Sequence, residues 1–175
     1  MISKLPAVLL LEGGRLYDPY LDTSVNASIL INNGIIKRIG KVKPDKSAKI
    51  IDCTNKIITC GFIDLHAHFR EPGREDKETL KTGALAAMAG GFTTVCIMPN
   101  TDPPLDNPES IRYIIERSAD LPISINPIGT ITLGQKGKEL AEIGEMVAAG
   151  AVAVSDDGLP LQNGQVLRYA LEYAK

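Results

Sequence analysis

Four short apolar segments, each followed by a stretch with helical spacing of apolar residues, constrain this chain more than any other feature. The segments cover residues 57–65, 93–98, 124–128 and 151–155. Consecutive βα units with apolar strands predict a parallel sheet covered by helices. An open doubly wound sheet and the first half of a (β/α)8 barrel both fit this pattern. A complete barrel takes about 250 residues, and the chain has 175, so a barrel would be truncated.

Capping residues and glycines predict where the helices begin and end. Asn107 supplies an N-cap and is followed by a proline and an acid, which are typical of a first helical turn. Glycine follows two of the other helical stretches, as is common at helix C-termini. The third helix is predicted to bury Leu140, Ile143 and Val147. The helices are predicted over residues 76–89, from 107 onward, over 138–149, and from 163 to Lys175, where the last helix is expected to be still running.

The first 56 residues have a different pattern, with short strands joined by tight turns. Strands are predicted over residues 8–11, 27–31, 35–39 and 49–52, and Asn32-Asn33-Gly34 is typical of a hairpin turn. We therefore expect two parts. Residues 1–56 should form a small β-sandwich segment, and residues 57–175 should form four βα units.

Charge and cysteine content argue against several classes of protein. The 19 Lys and Arg residues balance 21 Asp and Glu residues without a long run of either sign, so nothing predicts binding to nucleic acid or to an anionic membrane. No apolar run is long enough to span a bilayer. Cys53, Cys60 and Cys96 are an odd number without paired spacing, which favours free, buried thiols in a reducing compartment. We expect a soluble cytoplasmic protein.

The two histidines of the chain, His66 and His68, lie at the end of the first predicted strand of the βα region. Residues two apart in a strand point to the same side, so both imidazoles can reach one metal ion. A His-x-His pair taken alone more often forms ordinary hydrogen bonds, and a catalytic zinc site needs three protein ligands. Because α/β proteins bind ligands at the carboxyl ends of their strands, the position of the pair favours a metal site.

Polar residues also follow the first, second and fourth of these strands. Asp156 and Asp157 end the fourth strand, where a carboxylate could share a metal ion with the histidines, although Asp-Gly is also a common turn pair. Asn100 ends the second strand and offers an amide to a polar ligand. Arg70 could bind a carboxylate through its guanidinium, or form a surface ion pair with a neighbouring glutamate. Together they predict one polar site on a single rim.

Longer motifs extend this pattern over nearly the whole chain. They are GFIDLHAHFREPG, KETLKTGALAAMAGGFTTV, MPNT, PIGTIT, GKELAEIGEM and AVSDDG. In these motifs the chain closely resembles the N-terminal part of the dihydroorotases of the amidohydrolase superfamily. The resemblance implies an α/β fold, the first half of a (β/α)8 metal-dependent hydrolase barrel preceded by a small β-sandwich segment. It also implies a zinc enzyme of de novo pyrimidine biosynthesis that interconverts N-carbamoyl-L-aspartate and L-dihydroorotate.

The resemblance also implies roles for individual residues. The implied ligands of one or two Zn2+ ions are His66, His68 and Asp157. The implied substrate-binding residues are His68, Arg70 and Asn100. Asp156 is the less favoured carboxylate, and the absence of a lysine at the end of the fourth strand favours a site bridged by aspartate.

The resemblance further implies that part of the site lies outside this chain. The family's further histidine ligands and its catalytic aspartate belong to strands five, six and eight of the barrel. The acid–base aspartate is therefore expected beyond Lys175, the last residue given. We expect no catalytic acid–base residue within the chain, and we expect the chain to be inactive alone.

Two other functions stay open at this point. Hydantoinases and allantoinases share the His-x-His strand, but they hydrolyse rings without the carboxylate that Arg70 would bind. A non-catalytic dihydroorotase-like scaffold for aspartate transcarbamoylase would be expected to lose metal ligands. The expected partner is a small-molecule substrate, and the complete protein could form a homodimer or associate with aspartate transcarbamoylase. A half barrel also leaves its outer strands without neighbours, which predicts self-association.

Overall fold

The computed structural model describes residues 6–43 and 47–174 of the chain. The chain divides into two compact units, one up to Cys60 and one from Gly61. Each unit is built around its own β-sheet.

The first unit is a five-stranded mixed sheet. Its strands are β1 (Val8–Asp18), β2 (Thr23–Asn32), β3 (Ile35–Gly40), β4 (Lys49–Asp52) and β5 (Ile57–Ile58). β1 pairs antiparallel with β2 and parallel with β4 and β5, and β2 pairs antiparallel with β3. The four predicted strands are therefore present, and the first two are longer than predicted. Asn33 and Gly34 have positive φ angles in the predicted hairpin turn.

The apolar run over residues 57–65 was expected to be one strand, and this prediction is wrong. Ile57–Ile58 pairs with β1 in the first unit, whereas the next strand begins only at Phe62. The break falls next to Gly61, where a Cβ atom would collide with the side chain of Thr93. A glycine inside an apolar run often marks such a close approach, and here it separates two strands.

The second unit contains four βα units, as predicted. Its strands are β6 (Phe62–Ala67), β7 (Phe92–Ile97), β8 (Ser124–Gly129) and β9 (Ala153–Val154), and they pair in parallel in the order of the sequence. The helices that follow them are α1 (Leu80–Ala89), α2 (Pro108–Ser118), α3 (Ile143–Ala149) and α4 (Gly164–Tyr173). This order brings the carboxyl ends of all four strands to one edge of the sheet.

Two helices begin later than predicted. α1 begins at Leu80 rather than near residue 76, because Thr79 forms a capping box with Thr82. α3 begins at Ile143 rather than near residue 138, because Leu140 pairs with another segment in an isolated bridge before the helix starts.

The end of the last helix differs from the prediction as well. The helix was expected to be still running at Lys175, but α4 ends at Tyr173 and Ala174 is its C-cap. Lys175 itself lies outside the described residues.

The core of the second unit lies between the sheet and its helices. Alternate residues of β7 divide between the two faces: Val95 and Ile97 pack towards the helices, and Cys96 lies in a separate cluster with Met98 and Ile128. The helix side of the core also includes residues from α1, α2 and α3, namely Leu80, Ala84, Ile111, Ile114, Ile143 and Met146. In α3 the prediction was correct for Ile143 and wrong for Leu140, which precedes the helix, and for Val147, which is exposed.

All three cysteines are free. Cys53 and Cys96 are buried, as expected of small apolar side chains, but Cys60 is exposed, so the prediction of a buried thiol is wrong there. Cys60 is exposed because it lies in the irregular segment that separates β5 from β6. Across the part of the chain that the structure describes, none of the helices has the length and apolar character that a membrane span requires.

Candidate metal centre

A local irregularity at the end of β6 brings the two histidines to one point. The pairing of β6 with β7 shifts between Asp64 and Ala67. At this shift the side chain of Asp64 accepts a hydrogen bond from the backbone N–H of His66, at 3.0 Å. The bond satisfies an amide where the strand pairing is interrupted. The rings of His66 and His68 then lie edge to face, with their centroids 5.1 Å apart.

Asp157, which follows β9, completes a three-residue cluster with the histidines. Its Oδ1 lies 3.1 Å from Nε2 of His66 and 3.9 Å from Nε2 of His68, and the two Nε2 atoms are 3.2 Å apart. The side chain of Asp157 is 16% exposed and that of His66 is 57% exposed. Within residues 6–43 and 47–174, no other group of three His, Cys, Asp or Glu side chains has this proximity.

The spacing of these three atoms fits a single tetrahedral metal ion. Zn–N and Zn–O bonds of about 2.0–2.1 Å place tetrahedral ligand atoms about 3.3–3.4 Å apart. The distances in the cluster, from 3.1 to 3.9 Å, bracket that value. Two imidazole nitrogens and one carboxylate oxygen are also a donor set that catalytic zinc sites use, with a fourth position left for water or substrate. The residues present therefore fit a divalent ion such as zinc.

Asn100, after the end of β7, links two members of the cluster. Its Oδ1 lies 3.0 Å from Nδ1 of His68, and its Nδ2 donates to Oδ2 of Asp157 at 2.7 Å. An amide oxygen can only accept, so Nδ1 of His68 carries the hydrogen in this contact. Its Nε2 is then left with a lone pair that points to the cluster. Hydrogen bonds of this kind orient metal-binding side chains in proteins.

The two adjacent aspartates at the end of β9 have different surroundings. Asp157 contacts the histidines and Asn100, and its backbone is in the left-handed region with a φ of 52°. Asp156 is 3% exposed and is absent from the cluster. Its carboxylate instead accepts hydrogen bonds from the segment after β8, from the backbone N–H groups of Ile131 and Thr132 and from the Thr132 hydroxyl.

The loop after β6 carries Arg70 and is held by the glutamate that follows it. The carboxylate of Glu71 is buried and accepts hydrogen bonds from the backbone N–H of Leu80 (2.8 Å), the hydroxyl of Tyr113 (3.3 Å) and the guanidinium of Arg117 (3.1 Å). Burial, followed by the charge of Glu71, raises the pKa of Tyr113. The hydrogen bond to Glu71 and its charge raise the pKa of Arg117. Glu71 thereby ties the loop to the start of α1 and to α2.

Arg70 is half-buried, and its side chain makes no hydrogen bond or ion pair with any residue that the structure describes. The neighbouring glutamates have other partners: Glu71 binds Arg117, and Glu75 accepts a hydrogen bond from the backbone N–H of Gly73. The surface ion pair that the sequence left open as an alternative is therefore absent among the described residues. The guanidinium remains available to an anionic ligand.

Gly73 allows the loop that carries Arg70 to approach the loop that follows Asn100. Its φ is +97°, and a Cβ atom at this position would collide with the backbone oxygen of Asp102. The backbone N–H of Asp102 donates to the carbonyl of Pro72 at 3.1 Å. The loops after β6 and β7 are thus joined directly next to the cluster.

The structure brings together four of the predicted site residues: His66, His68, Asn100 and Asp157. No hydrogen bond or ion pair joins their side chains to that of Arg70 within the described residues. Sequence reasoning did not foresee that three carboxylates, those of Asp64, Glu71 and Asp156, would hold the surrounding backbone, although it considered Asp156 as a metal ligand. Each of these carboxylates lies within two residues of a predicted site residue, and this proximity was the available sequence signal. For two of the three, however, the hydrogen-bond partner is distant in sequence.

Comparison with known proteins gives a family and named relatives. The family model described as "Dihydro-orotase-like" matches residues 55–174. A protein named dihydroorotase from Geobacter metallireducens is 47% identical over 169 residues, which are 95% of this chain and 40% of that protein. A protein of the same name from Acetivibrio thermocellus is 44% identical over 167 residues, which are 95% of this chain and 39% of that protein. The chain thus spans about 40% of the length of these relatives.

Solved structures of similar fold include two hydrolases. An L-hydantoinase (dihydropyrimidinase) from Arthrobacter aurescens aligns with a TM-score of 0.71 and 23% identity, over 83% of this chain and 32% of its own. A crystal structure of a dihydroorotase aligns with a TM-score of 0.61 and 14% identity, over 96% of this chain and 48% of its own. These likenesses confirm the predicted fold class, a parallel half barrel preceded by a strand-rich segment.

Proposed function

This chain belongs to the dihydro-orotase-like family, and we propose that its cluster of His66, His68 and Asp157 holds one or two Zn2+ ions in a cyclic amidohydrolase. The spacing of 3.1–3.9 Å between the donor atoms is the observation that carries the proposal. The complete protein would interconvert N-carbamoyl-L-aspartate and L-dihydroorotate in de novo pyrimidine (UMP) biosynthesis. The sequence resemblance and the names of the relatives support this reaction.

The side chains of the cluster have separate tasks in this proposal. A divalent ion, when bound, polarises a carbonyl and makes water a stronger nucleophile near neutral pH, as hydrolysis of a cyclic amide requires. His66 and His68 offer Nε2 lone pairs, and Asn100 keeps His68 in the tautomer that does so. Asp157 adds the negative charge that two neutral imidazoles lack. Its hydrogen bond from Asn100 fixes the orientation of the carboxylate.

We assign binding of the substrate carboxylate to Arg70, together with Asn100 and His68. A guanidinium binds a carboxylate through two parallel hydrogen bonds, and that of Arg70 has no partner among the described residues. The amide of Asn100 donates one hydrogen to Asp157 and retains a second for a ligand. A ring without a carboxylate, such as hydantoin, would gain nothing from Arg70.

The chain by itself holds three proposed ligands and no proposed acid–base residue. We expect it to bind metal but not to turn over substrate, because the remaining family ligands and the catalytic aspartate belong to later strands of the barrel, beyond Lys175. The assay is hydrolysis of L-dihydroorotate by the purified chain with added Zn2+. Turnover that disappears in Asp157→Asn would contradict the expectation of inactivity while supporting the site.

Metal binding can be measured on the chain directly by competition with a chromophoric chelator. We expect the dissociation constant for Zn2+ to rise by about tenfold or more in each of His66→Ala, His68→Ala and Asp157→Asn, because each variant removes one donor. Asp76→Asn is the matched control, since Asp76 is exposed and pairs only with Arg74. Equal affinity in all five proteins would refute the metal centre.

Ligand choice separates the proposed reaction from that of a hydantoinase or an allantoinase. Binding of L-dihydroorotate, hydantoin and allantoin to the zinc-loaded chain can be compared by ligand-observed NMR. We expect dihydroorotate to bind most tightly and to lose that preference in Arg70→Gln. A preference for hydantoin or allantoin that Arg70→Gln leaves unchanged would favour the alternative reaction.

We propose a cytoplasmic location for the complete protein. Three free cysteines support the cytoplasm. A homodimer and a complex with aspartate transcarbamoylase are retained as proposed assemblies, which size-exclusion chromatography of the complete protein with and without the transcarbamoylase would distinguish.

A further inference from the structure

Asp156 and Asp157 are adjacent and chemically identical, yet only one of them belongs to the cluster. Asp157 reaches His66 and His68, and Asp156 turns to the segment after β8. A fully exposed turn aspartate would need no partners, but Asp156 is 3% exposed. Burying a carboxylate is unfavourable unless it is hydrogen-bonded, so the role of Asp156 lies in the bonds that it makes.

The carboxylate of Asp156 joins the end of β9 to the segment after β8. Oδ1 accepts hydrogen bonds from the backbone N–H groups of Ile131 (2.8 Å) and Thr132 (3.1 Å), and Oδ2 accepts one from the Thr132 hydroxyl (2.5 Å). The same hydroxyl accepts a hydrogen bond from the backbone N–H of Gly137 at 2.9 Å. Thr132 is itself fully buried. Four hydrogen bonds therefore hold this point, and the two that Thr132 donates to Asp156 are buried.

The backbone of Asp157 has a conformation that a fixed neighbour would help to hold. Its φ of 52° lies in the left-handed region, which is uncommon for non-glycine residues, although aspartate adopts it more readily than most. The backbone N–H of Asp157 also donates a hydrogen bond to the hydroxyl of Ser155 at 2.9 Å. If Asp156 were released, the left-handed residue could relax, and its carboxylate would leave the position 3.1 Å from His66.

We propose that Asp156 is a positioning residue for the metal centre: by anchoring the end of β9 to the segment after β8, it holds Asp157 in the left-handed conformation in which its carboxylate lies beside the two histidines. The inference rests on the proposed function only in so far as it concerns metal binding. The position of the Asp157 carboxylate beside the imidazoles is a property of the chain without metal. Within the described residues the Asp156 carboxylate makes its hydrogen bonds to Ile131 and Thr132 and is not one of the three donors, so its effect passes through the backbone of Asp157.

The test uses the two imidazoles as reporters, because the chain contains only two histidines and their NMR signals can be assigned without ambiguity. Long-range proton–nitrogen spectra of the metal-free chain should show the same displacement of the His66 signals in Asp156→Asn as in Asp157→Asn. With metal, Asp156→Asn should weaken Co2+ binding by about tenfold and change the visible spectrum of the bound Co2+, which reports the coordination geometry.

Asp106→Asn is the matched control. Asp106 also holds this segment, since its Oδ2 accepts a hydrogen bond from the backbone N–H of Gly134 at 2.9 Å, but it is not adjacent to Asp157 in sequence. We expect the imidazole signals and the Co2+ spectrum to remain unchanged in this variant. If Asp106→Asn changes them as much as Asp156→Asn does, the effect is a general loosening of the segment, and the inference is wrong.

A milder variant covers the case in which Asp156→Asn does not fold. Thr132→Val removes one hydrogen bond to Oδ2 of Asp156 with little change in volume, and the imidazole signals should move in the same direction. Unchanged signals and unchanged Co2+ affinity in the variants that fold would overturn the inference. If the wild-type chain binds no Co2+ but its imidazole signals respond to Asp156→Asn, the positioning role stands and the proposed metal centre fails.

Discussion

A methyl group added at Gly83 should disturb the packing of α1 against a residue that lies between two of the candidate site residues. Gly83 lies in α1 and is buried against Phe69, the residue between His68 and Arg70. A Cβ atom at Gly83 would lie 2.6 Å from Cε1 and Cζ of the Phe69 ring and 2.8 Å from Cδ1. These distances are far inside van der Waals contact, so the substitution Gly83→Ala must displace the ring or the helix.

Two opposing terms decide the effect of Gly83→Ala on stability. Alanine is favoured over glycine inside a helix by about 1 kcal/mol, and an inserted methyl group in a packed core costs about 1–3 kcal/mol. Phe69 is 7% exposed and belongs to the main core cluster, so it has little room to yield. We expect the overpacking to exceed the propensity gain and the free energy of unfolding to fall by about 1 kcal/mol. For a chain of this length, that lowers the Tm by about 2–4 °C.

Gly164→Ala is the matched control for the helix term, because Gly164 begins α4 and a Cβ atom there would meet nothing within 4 Å. Thermal unfolding followed by far-ultraviolet circular dichroism should show an unchanged or slightly raised Tm for this variant. A Tm raised equally by both substitutions would refute the steric argument. Phe69→Leu should relieve part of the cost of Gly83→Ala, so the two changes together should be less destabilising than the sum of the single changes.

Two further predictions concern the thiols and the exposed strands. Alkylation should modify Cys60 well before Cys96, because Cys60 is exposed whereas burial raises the pKa of the Cys96 thiol. Faster modification of Cys96 in the folded chain would contradict the packing of β7. Light scattering should show that the purified chain self-associates. β6 and β9 are the outer strands of their sheet, and Ile63 and Leu65 are more than half exposed. A monodisperse monomer at high concentration would contradict this expectation.

The order of the secondary structure was predictable because each βα unit is encoded locally. Apolar strands and helix-capping residues lie within a few positions of one another, so α2 begins where Asn107 predicts and β6 to β9 pair in sequence order. The boundaries that were wrong depend on contacts outside the local pattern. The apolar run over residues 57–65 is split because its first part pairs with β1, and no periodicity within the run reveals such a partner.

The candidate site was predictable to the extent that strand ends converge in a parallel sheet. That rule predicts that His66, Asn100 and Asp157 lie together. In the structure, His66 and Asn100 both lie within hydrogen-bonding distance of the Asp157 carboxylate. It did not predict that Asn100 would bind both His68 and Asp157, because the interaction depends on the length and direction of each side chain beyond its strand.

The neighbouring aspartates show why residue type and strand position are insufficient to assign a ligand. Asp156 and Asp157 have the same chemistry and the same place after β9, but the segment after β8 leaves two backbone N–H groups beside Asp156 that need an acceptor. Asp156 supplies that acceptor, and Asp157 is the carboxylate that faces the histidines. Which of the two carboxylates faces the histidines is therefore linked to the hydrogen-bonding needs of a segment about 25 residues earlier in the chain, and neither aspartate's own residue type reveals it.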